Sequence, residues 1–297
     1  KRFDHISPVL QALLVTFLGA TSFIIIKKGL QEIPPITFAG LRSLLACIFF
    51  LPIILKTKCI TKMKNLSKLQ WLKIILLGLL LCAFTQGAVF LSLSYLPTVT
   101  VSLMLNFTPL IVAILSIYLL KEKLTIYQWS GLLLFLIGII CYFLPYKFVE
   151  NKSIGLVIIV FGVLANAGAQ ILARNLNRNK DLNPILITFI GLGISAIFLL
   201  VTGISRNGIP VLTGRNWFYI IWLAGVNSAF AFTLWNHTLR SLTAMQSSII
   251  NGTMLFQTAI LAWIFLNEHI SWQQTTGILI AFAGAVLIQI KFRKSLL

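Results

Sequence analysis

Long apolar runs dominate the chain and short polar segments punctuate them. The apolar runs are each close to the ~20 residues that a helix needs to cross a bilayer. Their pattern predicts ten helices, at about 8–28, 34–55, 70–94, 97–120, 125–146, 153–174, 184–204, 216–239, 243–266 and 272–291. Between them fall residues that stop helices: Pro34-Pro35, Pro97, Pro145, Pro184 and the turn Gly208-Ile209-Pro210. In hydrocarbon every backbone N–H and C=O has to be satisfied within the protein, which leaves helices and closed barrels. Runs this long are not the short alternating strands of a barrel. The predicted fold class is an all-α integral membrane protein with ten transmembrane helices.

The pattern repeats. Leu96–Ile140 holds two apolar spans joined by the charged turn Lys121-Glu122-Lys123, and Leu242–Val286 has the same design. The offset is 146 residues without a gap, and eleven of forty-five positions are identical. Leu and Ile matches carry little weight in so apolar a chain. Ser102/Ser248, Glu122/Glu268, Gln128/Gln274, Gly131/Gly277 and Gly138/Gly284 carry more. Ser7/Ser153, Leu18/Leu164, Ile25/Ile171 and Leu30/Leu176 fall at the same offset. A fixed offset means one folding unit used twice. The two units are expected at 1–148 and 149–297, within one membrane domain.

Composition agrees: 58% of residues are hydrophobic and 10% charged. The net charge of +18, from 24 Lys and Arg against 6 Asp and Glu, would suggest nucleic acid in a soluble protein. Here the basic residues lie in loops between apolar runs, where they set topology and contact anionic lipids at the cytoplasmic face. No nucleic-acid partner is expected. With the N-terminus inside, seventeen Lys and Arg fall in inner segments and six in outer ones, leaving Arg42 within the second helix. Both termini are therefore expected in the cytoplasm. Five helices per unit is an odd number, so the two units enter the membrane from opposite sides. Glu122 then lies on the cytoplasmic side and Glu268 outside. Such inverted repeats give many secondary transporters their two access states, although channels and scramblases also have them.

The first apolar run, Pro8 to Ile26, is read as a retained helix and not a cleaved signal, since nine more spans follow. The chain starts without Met, so a few native residues are expected ahead of Lys1. Cys47, Cys59, Cys82 and Cys141 are scattered, with no C-x-x-C or Cys/His spacing that would suggest metal or redox chemistry. No nucleophile–base motif or Gly-rich phosphate loop is visible. No cofactor, metal or enzymatic activity is expected.

Two five-helix units, the fourth-helix pattern Pro109-Leu110 … Leu119-Leu120-Lys121-Glu122-Lys123-Leu124-Thr125 and its echo Leu266-Asn267-Glu268-His269-Ile270-Ser271 resemble the drug/metabolite transporter superfamily, EamA-type branch. So do Ala20-Thr21-Ser22-Phe23 … Lys27-Lys28-Gly29-Leu30 and Leu41-Arg42. The resemblance spans nearly the whole chain. It implies export or exchange of small metabolites, often amino acids, through a central cavity lined mainly by helices 1, 3, 4, 6, 8 and 9. Leu255 stands where the echo of Pro109 would put a proline, so helix 9 need not bend as helix 4 does.

Polar groups within a bilayer are costly and normally face a bundle interior or a wet cavity. Asn166 and Gln170 share a face of helix 6 with Arg174, at i+4 steps. Helix 4 carries Thr98, Ser102 and Asn106 before Pro109. Helix 9 carries Ser247, Asn251 and Thr258, with Gln257 adjacent. Helix 8 offers Asn227 and Trp235, helix 3 offers Gln86 and Phe90, and helix 1 offers Phe17 and Thr21. The candidate solute-binding set is Thr21, Gln86, Phe90, Asn106, Asn166, Gln170, Asn227, Trp235, Asn251 and Gln257. The same residue types also make helix–helix hydrogen bonds, so both roles stay open for the amides. Amides with aromatics suit a polar neutral or zwitterionic solute, because amides both donate and accept. Arg42, without an acidic partner in its helix, is read as structural, reaching outward or bonding helix-end carbonyls. Gly131 and Gly138, and Gly277 and Gly284, are about two turns apart, so each pair shares a face and marks helices 5 and 10 as packing elements, with dimerisation as the lesser alternative.

The expected function is a secondary transporter in the bacterial inner membrane, moving an amino acid or similar solute by alternating access, as exporter or exchanger. A monomer or weak homodimer is expected. The alternative is a membrane-embedded enzyme or lipid flippase. No carboxylate falls at a predicted midplane, which favours facilitated diffusion or exchange without obligatory proton movement.

Overall fold

The structure is a computed structural model and describes residues 3–56, 67–120, 125–144, 150–177, 184–238, 241–242 and 244–289. The turn 121–124, the basic loop 57–66 and the C-terminal basic residues lie outside that set, as does the Arg174 side chain. The described residues are helical with short connections. The helices are α1 (Phe3–Gly29), α2 (Pro35–Lys56), α3 (Lys68–Gly78), α4 (Gln86–Tyr95), α5 (Thr98–Leu105), α6 (Thr108–Leu120) and α7 (Ile126–Phe143). Then come α8 (Glu150–Asn177), α9 (Pro184–Asn207), α10 (Gly214–Trp222), α11 (Ala231–Thr238), α12 (Ala244–Leu266) and α13 (Trp272–Gln289). A π-helical turn, Leu79–Thr85, fuses α3 to α4, and another, Leu223–Phe230, fuses α10 to α11. With α5 and α6 counted as one broken span, the elements form ten successive helical spans. Seven helices among the described residues are long and apolar enough to cross a membrane, and Thr98–Val112 and Ile250–Leu266 are shorter apolar helices.

Span four is broken where the sequence carries Asn106-Phe107-Thr108-Pro109. Asn106 and Phe107 close three-residue turns onto Leu103 and Met104. The Asn106 side chain donates to the Ser102 carbonyl at 2.9 Å, and the Thr108 hydroxyl to that of Leu105 at 2.8 Å. These bonds take up carbonyls that the break would otherwise orphan. Pro109 sits in the first turn of α6, where its missing N–H costs nothing. Span nine has Leu255 at the equivalent place and runs unbroken through α12.

Partners cross between the two halves of the chain. Span one packs on nine and on eight, span four on six and nine, and span three on six; span two packs on seven and span five on ten. The last pair is a glycine seam. A Cβ on Gly138 would lie 2.3 Å from the Ala281 nitrogen, and one on Gly284 2.3 Å from the Phe135 nitrogen. Small residues let two backbones approach this closely. The glycine faces singled out in the sequence are thus used against each other inside the fold.

One end of the bundle is tied across the spans. The Lys27 ammonium donates to the Leu93 and Leu96 carbonyls at the end of α4. The Glu268 carboxylate accepts from the backbone N–H of Thr98 at 2.8 Å and, more weakly, of Val99 at 3.4 Å. An anion at a helix N-terminus and a cation at a C-terminus are each favoured by the helix dipole. At the same end Arg215 pairs with Glu32.

Candidate functional site

Two adjoining cavities occupy the middle of the bundle. One, of about 400 Å³, reaches from Gly19 and Ser22 of α1 past Gln86 to Asn106, Asn166 and Gln170. The other, of about 530 Å³, runs along α2 and α9 towards Phe50, Leu77 and Trp235, away from the tied end. They share Gly19, Arg42, Leu81, Gln86, Asn227, Asn251 and Met254. Both volumes fall in the usual range for small-molecule sites, ~300–1,000 Å³.

Seven of the ten candidates line these cavities: Gln86, Asn106, Asn166, Gln170, Asn227, Trp235 and Asn251. Their hydrogen bonds differ. Gln170 and Asn251 make none among the described residues and are well exposed to the space they face. The Asn166 amide donates to the Thr108 hydroxyl at 3.2 Å, holding span six to the break in span four. Asn227 donates to the Leu18 carbonyl and to the Thr21 hydroxyl, so it both ties span eight to span one and lines the cavities. Three candidates lie elsewhere. Thr21 serves that tie and also donates to Leu18. Phe90 is a fully buried core residue, edge-on to Phe38 with ring centroids 5.1 Å apart. Gln257 is on neither wall, and its Oε1 is buried without a partner. Alternation along a helix cannot separate a cavity wall from a core contact one residue away.

Arg42 corrects an expectation. It neither snorkels outward nor bonds helix-end carbonyls. Its Nη1 donates to Gln86 Oε1 at 3.0 Å, its Nε to Ser228 Oγ at 3.2 Å, and its guanidinium lies 5.8 Å from the Phe90 ring centre. It is the charged side chain on the walls of both cavities. The sequence signal was there, a lone arginine in an apolar helix, but its direction was not. The six spans implied by the resemblance are joined by others: α2 with Arg42 and Phe50, α9 with Thr188 and Gly191, and α13 with Phe282.

The π-turns abut this site. Widened turns of this kind often occur at functional positions, because they leave a carbonyl without its usual partner. Here hydroxyls supply one. Thr85 donates to Leu80 at 2.8 Å and Ser228 to Leu223 at 2.9 Å. The residues that follow or lie within these turns, Gln86 and Asn227, are thereby swung to the cavity.

Among the described residues no cluster of three or more His, Cys, Asp and Glu side chains could hold a metal. The EamA-like transporter family model matches residues 6–144 and 153–290. The chain is 22% identical over 288 residues to the uncharacterized transporter YoaV of Bacillus subtilis, covering 94% of this chain and 96% of that protein. It is 25% identical over 138 residues to the S-adenosylmethionine uptake transporter of Rickettsia bellii, 46% of each chain. A solved crystal structure at 15% identity has the same fold, with a TM-score of 0.68 over 95% of this chain and 97% of that one.

Proposed function

Because the chain belongs to the EamA-like transporter family, as a multi-pass membrane protein, we propose that it carries a small polar metabolite by alternating access through the paired central cavities. The observation that carries this is the convergence of unspent amides, Gln170 and Asn251 above all, on a mid-bundle space whose one end is tied shut. Polar side chains in an apolar bundle normally face its interior or a wet cavity, and amides left unbonded there are available to a polar solute.

The proposed mechanism uses two inverted five-helix repeats, 1–148 and 149–297. Two facts support it. The family match falls on two stretches of similar length, 6–144 and 153–290. The packing is unchanged in kind when each span is exchanged for the one five further on: one-with-nine becomes six-with-four, three-with-six becomes eight-with-one, and two-with-seven and five-with-ten map onto themselves. Exchanging the conformations of the two repeats gives a second state, related to the first by a pseudo-two-fold axis in the membrane plane. In it the tie at Lys27 and Glu268 opens and the opposite end closes. We place the termini in the cytoplasm of a bacterial inner membrane, from the asymmetry of loop charge.

Purified protein in liposomes, offered a labelled panel of amino acids and nucleosides, tests the proposal. At least one should accumulate or exchange above empty vesicles. Asn166→Ala and Asn251→Ala should lower that flux more than they lower expression. Flux unchanged in both variants would remove the site, and no flux of any solute would remove the function.

A further inference from the structure

Resting on the transporter reading above, we infer that the solute carries a carboxylate and that Arg42 is the group that receives it. The argument starts from charge. Arg42 lies within the apolar helix α2, on the shared wall of both cavities. Its bonds are to two neutral oxygens, Gln86 Oε1 and Ser228 Oγ, and its Nη2 group makes no hydrogen bond among the described residues. Among the described residues no carboxylate lines either cavity. The chain has only 6 acidic residues. The described ones whose bonds are seen are committed at the tied end, Glu32 to Arg215 and Glu268 to the α5 N-terminus.

A cation held inside a bilayer without a counter-charge is expensive and marks an ion or substrate path. Gln86 and Ser228 fix the guanidinium without neutralising it, since both are uncharged. What they leave free is a planar fork of donors facing a space of solute size, which matches the two oxygens of a carboxylate. The amides of Asn251 and Gln170, on other spans, remain to accept or donate to the rest of the molecule. Of the neutral and zwitterionic solutes that the amides alone would suit, Arg42 removes the neutral one, leaving a zwitterion or an organic anion. Binding pairs the guanidinium with a carboxylate, and for an organic anion it neutralises the site, so the loaded carrier then crosses between states more readily than the empty one. That is the behaviour of an exchanger.

The test uses intact purified protein and does not depend on transport. Phenylglyoxal modifies accessible guanidinium groups, and mass spectrometry of the α2 peptide reads the rate at Arg42. The probes are isosteric pairs: leucine and leucinamide, nicotinate and nicotinamide, benzoate and benzamide, with sodium chloride at equal ionic strength as the ion arm. At least one carboxylate should slow modification of Arg42 by about tenfold or more, as charge-assisted bonds predict, and its amide partner should not. Equal protection by the amide, equal protection by chloride, or no protection by any carboxylate overturns the inference. Uptake of the same pairs into liposomes separates the two proposals. Protection without flux of any solute leaves the carboxylate site and ends the transporter reading. Flux of a neutral solute with Arg42 unprotected does the reverse.

Discussion

Replacing Gly284 by alanine should destabilise the bundle, and the same change at Gly168 should not. The added methyl at 284 would sit 2.3 Å from the Phe135 nitrogen, 2.6 Å from the Gly131 oxygen and 2.7 Å from the Phe135 Cα, where ordinary contact is 3.4–4 Å. All three are backbone atoms, so no side chain can turn away. Spans five and ten must part by roughly 1 Å, a gap that forfeits a quarter to a half of each dispersion contact along the seam. The same opening loosens Gly138 against Ala281 and Gly277 against Tyr142. Overpacking of this kind costs about 1–3 kcal/mol and occasionally more. The helix propensity gained from Gly to Ala offsets up to about 1 kcal/mol of it. At Gly168 the new methyl would meet only Leu80 Cδ1, at 3.8 Å. There the propensity gain stands alone. Melting of the purified protein, followed by intrinsic tryptophan fluorescence in one detergent, reads the difference. At roughly 2–4 °C per kcal/mol, Gly284→Ala should melt several degrees lower and Gly168→Ala at or slightly above the parent. A Gly284→Ala protein as stable as the parent would refute the seam, since there would be nothing for the methyl to push apart.

Three further outcomes are expected. Glu268→Ala removes the acceptor at the α5 N-terminus and should cost about 1 kcal/mol, seen as a lower melting temperature, with Glu268→Gln intermediate because it keeps an acceptor without the charge. Cysteines placed singly as Ser67→Cys and Ser205→Cys should label asymmetrically on intact cells, with an impermeant reagent reaching 205 and not 67; the reverse would invert the topology. Uptake into liposomes at clamped potential should not require an imposed pH gradient, because no acidic side chain among the described residues lines the cavities; concentrative uptake abolished by a protonophore would defeat this.

The order of ten helical spans, the break at Asn106–Pro109 and its absence at Leu255 follow from local chemistry. A lipid-crossing helix is specified by the length of its own apolar run and by the proline or turn residue that ends it. The glycine pairs were equally readable, because two glycines seven apart mark a face whatever it meets. What meets that face is a matter of tertiary structure: span ten on span five, from the far end of the chain. The cavity shows the same division. Periodicity places Asn166 and Gln170 on one face of a helix, but nothing local separates Asn251, which is unbonded in the cavity, from Gln257, six residues on and outside it, with its Oε1 buried. Nor does the sequence of α2 say that Arg42 turns inward. Its direction is set by Gln86 and Ser228, 44 and 186 residues away, and by the π-turns beside them, which depend on hydroxyl-to-carbonyl bonds formed only in the assembled bundle. The sequence by itself thus determined which segments form apolar helices and where they stop, since those are decided by the length of each apolar run and by the residues that end it. Only the packed structure decided which polar groups share a wall, because that depends on the rotation of each helix about its axis, and rotation is fixed by neighbours rather than by the helix itself.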